Sequence, residues 1–395
     1  LMKPPFKKAA RVIEKIEQAG FEAYFVGGSV RDLLLGKEIN DVDIATSATP
    51  EEVKRIFPRT VDVGIEHGTV LVLEGGESYE ITTFRTEGEY VDFRRPKEVS
   101  FVRSLTEDLK RRDFTINAIA MTKEGEFVDP FGGKEDLEKG ILRTVGKPEE
   151  RFSEDALRML RAARFVSQLG FAVEENTYRA LKESAPLLKH IAVERKLAEF
   201  TKIMTGDHVK KACEVLVSRD LYRYLPNMEA FPGQLLKAAE ILRPGALDET
   251  EVWALLFLVI RKENCPRFLK EWRLPTKKIK EIYRIYDAFH DRLSKEWDLY
   301  GVYTYGLETS LSAEKIHSLW NGEELDKQLA RVRELYEKLP IKSRKELQVN
   351  GNDLLLWKNK GGGKWVEEDL RRIEKAVISG EVENDKRSIK EWLMP

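Results

Sequence analysis

Up to about residue 140 the chain alternates short apolar runs with longer segments whose apolar positions recur every three or four residues. "AYFVGG", "DVDIAT", "GTVLVLEGG", "SYEITTFRT" and "FVDPFGG" are β-branched or aromatic runs bounded by glycine or polar residues, and each predicts a strand. "PFKKAARVIEKIEQAG" spaces Ala9, Val12, Ile13 and Ile16 as a helix does, and Gly20 closes it. Beyond "RFSEDALRMLRAARF" the strand signals fade. Amphipathic stretches such as "VERKLAEFTKIM", "HVKKACEVLV" and "ELDKQLARVRELYEKL" follow one another to the C-terminus. The pattern therefore predicts an α+β protein, with a small mixed sheet first and an all-helical remainder.

Pro226 and Pro232 mark one break in the helical part and Pro275 a second, while "KNKGGGKW" reads as a flexible loop. At 395 residues the chain is long enough for two to four domains. No apolar run approaches the ~18 residues of a membrane span. No basic-then-apolar leader precedes the first helix, so a soluble, cytoplasmic protein is expected, with Leu1 ahead of Met2 set aside as foreign. Cys213 and Cys265 are far apart and without metal-ligand spacing, so both read as small apolar residues. The 67 Lys and Arg balance 68 Asp and Glu, and no overall positive excess advertises nucleic acid. A basic groove on one face remains compatible with that balance.

The chemistry is concentrated in "FVGGSVRDLLLGKEINDVDIATSA", residues 25 to 48. A strand that ends in Gly27-Gly28 and turns into a helix starting at Ser29 offers free backbone N–H groups to an anion. By itself the glycine pair is more often a tight strand-to-helix turn than a phosphate seat. Asp41 and Asp43 then fall two apart in a strand-like run, so both carboxylates face one side. Paired carboxylates repel unless a cation lies between them, and Mg²⁺ accepts carboxylate and phosphate oxygens in one shell. Glu80, in "SYEITTFR", is the candidate third carboxylate, with an ordinary exposed strand glutamate as the plain alternative. Farther on, "EDALRMLRAARF" opens a helix with Glu154, Asp155 and Arg158, and the three-residue step sets Asp155 and Arg158 on one face. As a bare pair they make an intrahelical salt bridge. As a reading edge, a carboxylate that accepts and a guanidinium that donates match cytosine and adenine, and meet uracil and guanine the wrong way round.

The segment "GGSVRD…DVDIAT" resembles the signature of the polymerase-β-type nucleotidyltransferases. With "RRDFTINAIA" (111–120), "DPFGG" (129–133), "EDALRMLRAARF" (154–165) and "ERKLAEF" (194–200), the order and spacing resemble those of class II tRNA nucleotidyltransferases, the CCA-adding enzymes. The resemblance is motif by motif over the first half and extends to the tail at "LPIKS…LQVNGNDLL". It implies a catalytic head over 1–139, a helical neck over 140–205, a body over 206–283 and a tail over 284–395. The implied activity is template-independent addition of CCA to the 3′ end of tRNA from CTP and ATP, with Mg²⁺ on Asp41 and Asp43.

The same resemblance assigns Arg31 to the phosphates, Arg112, Asp113 and Asn117 to the sugar and to head movement, and Asp155 and Arg158 to base choice. It extends the nucleotide site to Glu154, Arg161 and Arg164. The polar segment 86–99 corresponds to a loop that CC-adding members lack, and its presence favours complete CCA addition. The basic-aromatic stretches 267–289 and 339–347 are expected to follow the phosphates of the tRNA acceptor stem, recognised by shape. Alternatives are an A-adding or CC-adding enzyme and a poly(A) polymerase, which share the head motifs. A metal phosphohydrolase built on His290-Asp291 lacks the spaced histidines it needs, since the five stand at 67, 190, 208, 290 and 317. An RNA-binding relic with an inactive head does not fit the retention of Asp41, Asp43, Asp155 and Arg158 together.

Overall fold

The computed structural model describes residues 2–395 apart from Asp92, Arg94 and the side chain of Arg95. The chain forms two compact units, Leu1–Pro232 and Gly233–Pro395. The first opens with α1 (Pro4–Gln18), which buries Phe6, Ala9, Val12, Ile13 and Ile16, the apolar stripe read from the sequence. Gly20 then takes φ +92°, where a glycine is needed.

β1 (Ala23–Val26), α2 (Gly28–Leu34), β2 (Asp43–Thr46), α3 (Pro50–Ile56), β3 (Thr60–Gly64), β4 (Thr69–Glu74) and β5 (Glu77–Thr83) follow. Two short hairpin-like ladders, β6 (Arg85–Glu87) with β9 (Val99–Phe101) and β7 (Tyr90–Val91) with β8 (Arg95–Pro96), occupy the stretch expected to be a loop. The part of that expectation resting on Asp92 and Arg94 lies outside the described residues. α4 (Leu105–Lys110), β10 (Ala120–Met121), β11 (Phe127–Val128) and α5 (Gly133–Lys139) complete the sheet region.

The sheet has seven strands in the order β11-β10-β1-β2-β5-β4-β3. Every neighbouring pair is antiparallel except β2 and β5, which run parallel with Ile44 opposite Ile81. That register puts Asp43 and Glu80, the residues just before, on adjacent strands. Val26, Ala45, Phe84, Leu109 and Ala120 form a buried cluster beneath the site. After β12 (Ile141–Leu142) the unit turns helical, with α6 (Pro148–Glu154), α7 (Leu157–Leu169), the two-residue β13 (Ala172–Val173), α8 (Glu175–Ser184) and α9 (Val193–Met204). β3 and β10 were not expected from the sequence. β3 is short and exposed along Val61–Val63, so it lacks the alternation that marks a half-buried strand.

The second unit is helical throughout its described elements. Its core gathers Val302, Val332, Leu354, Ile373 and Ile389. The helix Thr276–Ser294 buries Ile279, Ile282 and Ile285, and the body-tail boundary expected after residue 283 falls inside it. Glu314 is wholly buried here, accepting from Arg292 Nε and Trp297 Nε1 at 2.9 Å each. Cys213, in the first unit, is buried as expected, and burial pushes its thiol up. Cys265, in the second, is only half-buried, which corrects the expectation of two core cysteines. No described helix is long and apolar enough to cross a membrane.

Candidate active site

Two cavities in the first unit share Asp43 as a common wall. The sequence places Asp41 and Asp43 together on a strand; β2 itself begins at Asp43, and Asp41 lies just ahead of it. The expected alternation persists, because Val42 and Ile44 are buried while Asp41 and Asp43 are exposed. Asp41, Asp43 and Glu80 line one cavity of about 570 Å³ together with Glu77 and Lys8. Although Asp43 reaches solvent, desolvation by the surrounding cavity wall first, then Glu80, pushes its carboxyl up; Arg112 opposes this and Asp41 adds to it. A carboxylate raised by neighbouring carboxylates is a donor set suited to a hard divalent cation. Among the described residues these three are not drawn as close together as a formed three-ligand cluster. The one such cluster is Glu314, His317 and Glu323 in the second unit, where Arg292 already neutralises Glu314.

The other cavity, of about 660 Å³, brings together Gly27, Gly28, Arg31, Asp43, Arg112 and Asp113 with Asn117, Asp155, Arg158, Arg161 and Arg164. Eight arginines and four carboxylates line it, so a chain of net charge −1 holds a strongly basic pocket. Gly27 stands at φ +77°, which explains the first glycine of the pair, and it lies against Asp43. The helix starts at Gly28, one residue earlier than the sequence suggests. Arg31 lies against Gly28 and donates to Asn117 Oδ1 at 2.8 Å.

Asp113 accepts from Arg161 Nε at 2.6 Å and from the Asn117 amide at 3.2 Å. Burial alone would raise this carboxyl, but Arg161, Asn117 and Arg158 outweigh it and hold it at about 2. Arg112 pairs with the buried Asp108 at 3.3 Å, and burial pulls its guanidinium down. Arg161 and Arg164 both stay in the cavity wall, the latter paired with Glu199 at 2.7 Å.

Asp155 and Arg158 depart from the expected helix face. α6 ends at Glu154, Asp155 takes an extended conformation, and α7 begins at Leu157. The break has a tertiary cause: the Ala156 N–H is given to the Phe93 carbonyl at 3.1 Å, and Asp155 Oδ1 accepts the Leu157 N–H at 3.1 Å. Asp155 and Arg158 are therefore not an intrahelical pair. Asp155 takes two bonds from Arg195, at 3.2 and 2.8 Å. Arg158 donates to Glu154 at 2.5 Å and to the Arg111 carbonyl at 3.2 Å, and it contacts the Tyr90 hydroxyl at 3.4 Å. Both side chains still line the cavity, whereas Glu154 does not; it bridges Arg151 and Arg158.

The chain is 49% identical over its whole length to a CCA-adding enzyme of a Geobacillus species, covering 98% of it. It is 50% identical to the CCA-adding enzyme of Bacillus cereus, with 98% of each chain covered. The chain belongs to the CCA-adding tRNA nucleotidyltransferases. Its head matches the poly A polymerase head domain over residues 23–143, and its C-terminal part matches tRNA nucleotidyltransferase domain 2 over 246–393. The crystal structure of the Bacillus stearothermophilus CCA-adding enzyme in complex with CTP is 46% identical, covers 100% of this chain and 98% of its own, and superposes with a TM-score of 0.94. Nucleotidyltransferases of this family use divalent metals.

For a CCA-adding enzyme, sequence reasoning missed several cavity residues. Arg195 sits inside the quoted "ERKLAEF", but only its bonds to Asp155 single it out. Tyr90 and Glu87 come from the segment read as a loop, and the Tyr90 hydroxyl donates to Glu87 while facing Arg158. Phe165 carried no chemical signal at all, since a phenylalanine on an amphipathic helix is ordinarily core.

Proposed function

We propose that this chain completes the 3′ end of tRNA by adding C, C and A from CTP and ATP, in the cavity where Asp43 meets the arginine wall. The observation that carries the reading is that one basic pocket is lined by Gly27 and Asp43 and also by Asp155 and Arg158. The triphosphate lies over Gly27, Gly28 and Arg31, with Arg161 and Arg164 adding charge. Asp113, fixed by Arg161 and Asn117, and Arg112 frame the sugar. Asp155 accepts the exocyclic amino group of cytosine or adenine and Arg158 donates to the adjacent ring nitrogen. Uracil or guanine leaves both groups unpaired, which is the strong form of discrimination.

Asp41 and Asp43 would hold Mg²⁺, with Glu80 completing the carboxylate set. When bound, the ion lowers the pKa of the attacking hydroxyl and offsets charge on the phosphates. The residues hold the tRNA 3′-OH in line with the α-phosphate; the new O–P bond forms as the bond to pyrophosphate breaks, and pyrophosphate leaves along the basic side. The division into head (1–139), neck (140–205), body (206–283) and tail (284–395) is part of the proposal, with body and tail gripping the acceptor stem. A cytoplasmic place of work follows from the substrate. The test is Mg²⁺ and a labelled tRNA lacking its 3′ end, with CTP, ATP, both, or UTP and GTP. Two additions with CTP and a third only with ATP present are expected. A stop at CC, A added only after CC, or long A tails would each replace this reading by a named relative.

A further inference from the structure

Phe165 is 3% exposed and lies in the cavity wall, with the edge of Phe114 set against it at 5.7 Å and 80°. Three guanidinium groups crowd its ring, with Arg164 at 4.7 Å, Arg31 at 5.2 Å and Arg161 at 5.5 Å from the centre. Arg161 and Phe165 are four residues apart on α7, with Arg164 adjacent to Phe165, while Arg31 arrives from α2. Each arginine has one carboxylate: Asp32 at 2.9 Å, Asp113 at 2.6 Å and Glu199 at 2.7 Å. Arg31 also gives one N–H to Asn117 at 2.8 Å; among the described residues the other N–H groups of the three have no acceptor beyond these partners and are open to another anion. Three cations around one point repel, and burial together with Arg161 and Arg31 pulls Arg164 down despite Glu199. An aromatic face is attractive to each of them through its quadrupole, and unlike a carboxylate it uses none of the N–H groups a phosphate needs.

We propose that Phe165 is a positioning residue for the triphosphate, its ring holding Arg31, Arg161 and Arg164 at a common centre with their remaining N–H groups open to the phosphates. The inference rests on the reading that these arginines receive the triphosphate. It acts on the phosphates, so it affects CTP, ATP and pyrophosphate alike and leaves base choice alone.

The experiment replaces Phe165 in the full chain by mono-, di- and trifluorophenylalanine, which weaken the quadrupole stepwise with little change of volume, and adds Phe165→Leu as the apolar control. The KM for CTP and for ATP is expected to rise in parallel with fluorine number, by roughly tenfold at the end of the series, with pyrophosphate affinity measured by calorimetry falling in step. Preference for C and A over U should not move. A flat series, a change for one nucleotide only, or a leucine variant that binds pyrophosphate as the wild type does would overturn the proposal. Failure of the wild type to add CCA would instead overturn the function, while the pyrophosphate titrations would still judge the ring.

Discussion

The two cavities that meet at Asp43 are opposite in charge. On one side four carboxylates face a single lysine, and on the other eight arginines face four carboxylates. The basic side is internally braced, because Asp32, Asp113, Asp155, Glu154 and Glu199 each fix an arginine. Among the described residues the acidic side has no such ion pair beyond Lys8 on Glu77. Under the proposed function, the difference means that the phosphate seat would be folded in advance, whereas the carboxylate side would await a cation to balance it. Asp43 is where the two demands are joined, and it is the residue whose loss should matter most.

The comparison breaks most completely at that residue. Asp43→Ala is expected to lower kcat on the order of a thousandfold, with tRNA affinity unchanged by filter binding. An active variant would mean that the acidic cavity has no part in transfer. Next in size is the reading edge. Exchanging Asp155 for Arg and Arg158 for Asp should reduce the preference for C over U by at least roughly a hundredfold. It also sets two arginines face to face, since Arg195 pairs with Asp155. Adding Arg195→Glu to the exchange should recover catalytic rate without restoring base choice. Single-turnover assays with each nucleotide separate the two effects.

A smaller effect is expected on stability. The Asp113 carboxyl sits at about 2 against an ordinary 3.8, so its ionised form stabilises the fold above the ordinary value, and that contribution is lost as pH falls through 2. Asp113→Asn should cost about 2 kcal/mol at pH 7 in urea unfolding, and the gap to wild type should narrow between pH 4 and pH 2. The smallest effect is ionic. Raising salt from low to physiological strength should increase the KM for CTP about threefold, because a basic pocket concentrates the nucleotide less under screening.

Much of the sheet was legible because its strands carry β-branched residues bounded by glycine. The parallel pairing of β2 with β5, which sets Glu80 beside Asp43, was not, since strand neighbours are chosen by burial and not by local pattern. Gly27 could be read, because a strand that turns at once into a helix commonly takes a positive φ there, as Gly27 does, and that favours glycine. Asp155 could be named but not placed. "SEDALRML" reads locally as one continuous helix, and the break comes from Phe93 and Arg195, sixty-two residues before and forty after. Phe165 shows the limit most clearly, because its three cationic neighbours lie on two helices and only one spacing among them is helical.

Each compact unit holds one thiol, Cys213 in the first and Cys265 in the second. The buried one should become reactive only when the first unit opens, and the half-buried one should respond to smaller fluctuations of the second. Alkylation kinetics of the unaltered chain thus report on the two units separately. Protection of Cys213 and of Cys265, each measured with CTP and with tRNA, would measure how far either substrate steadies each unit.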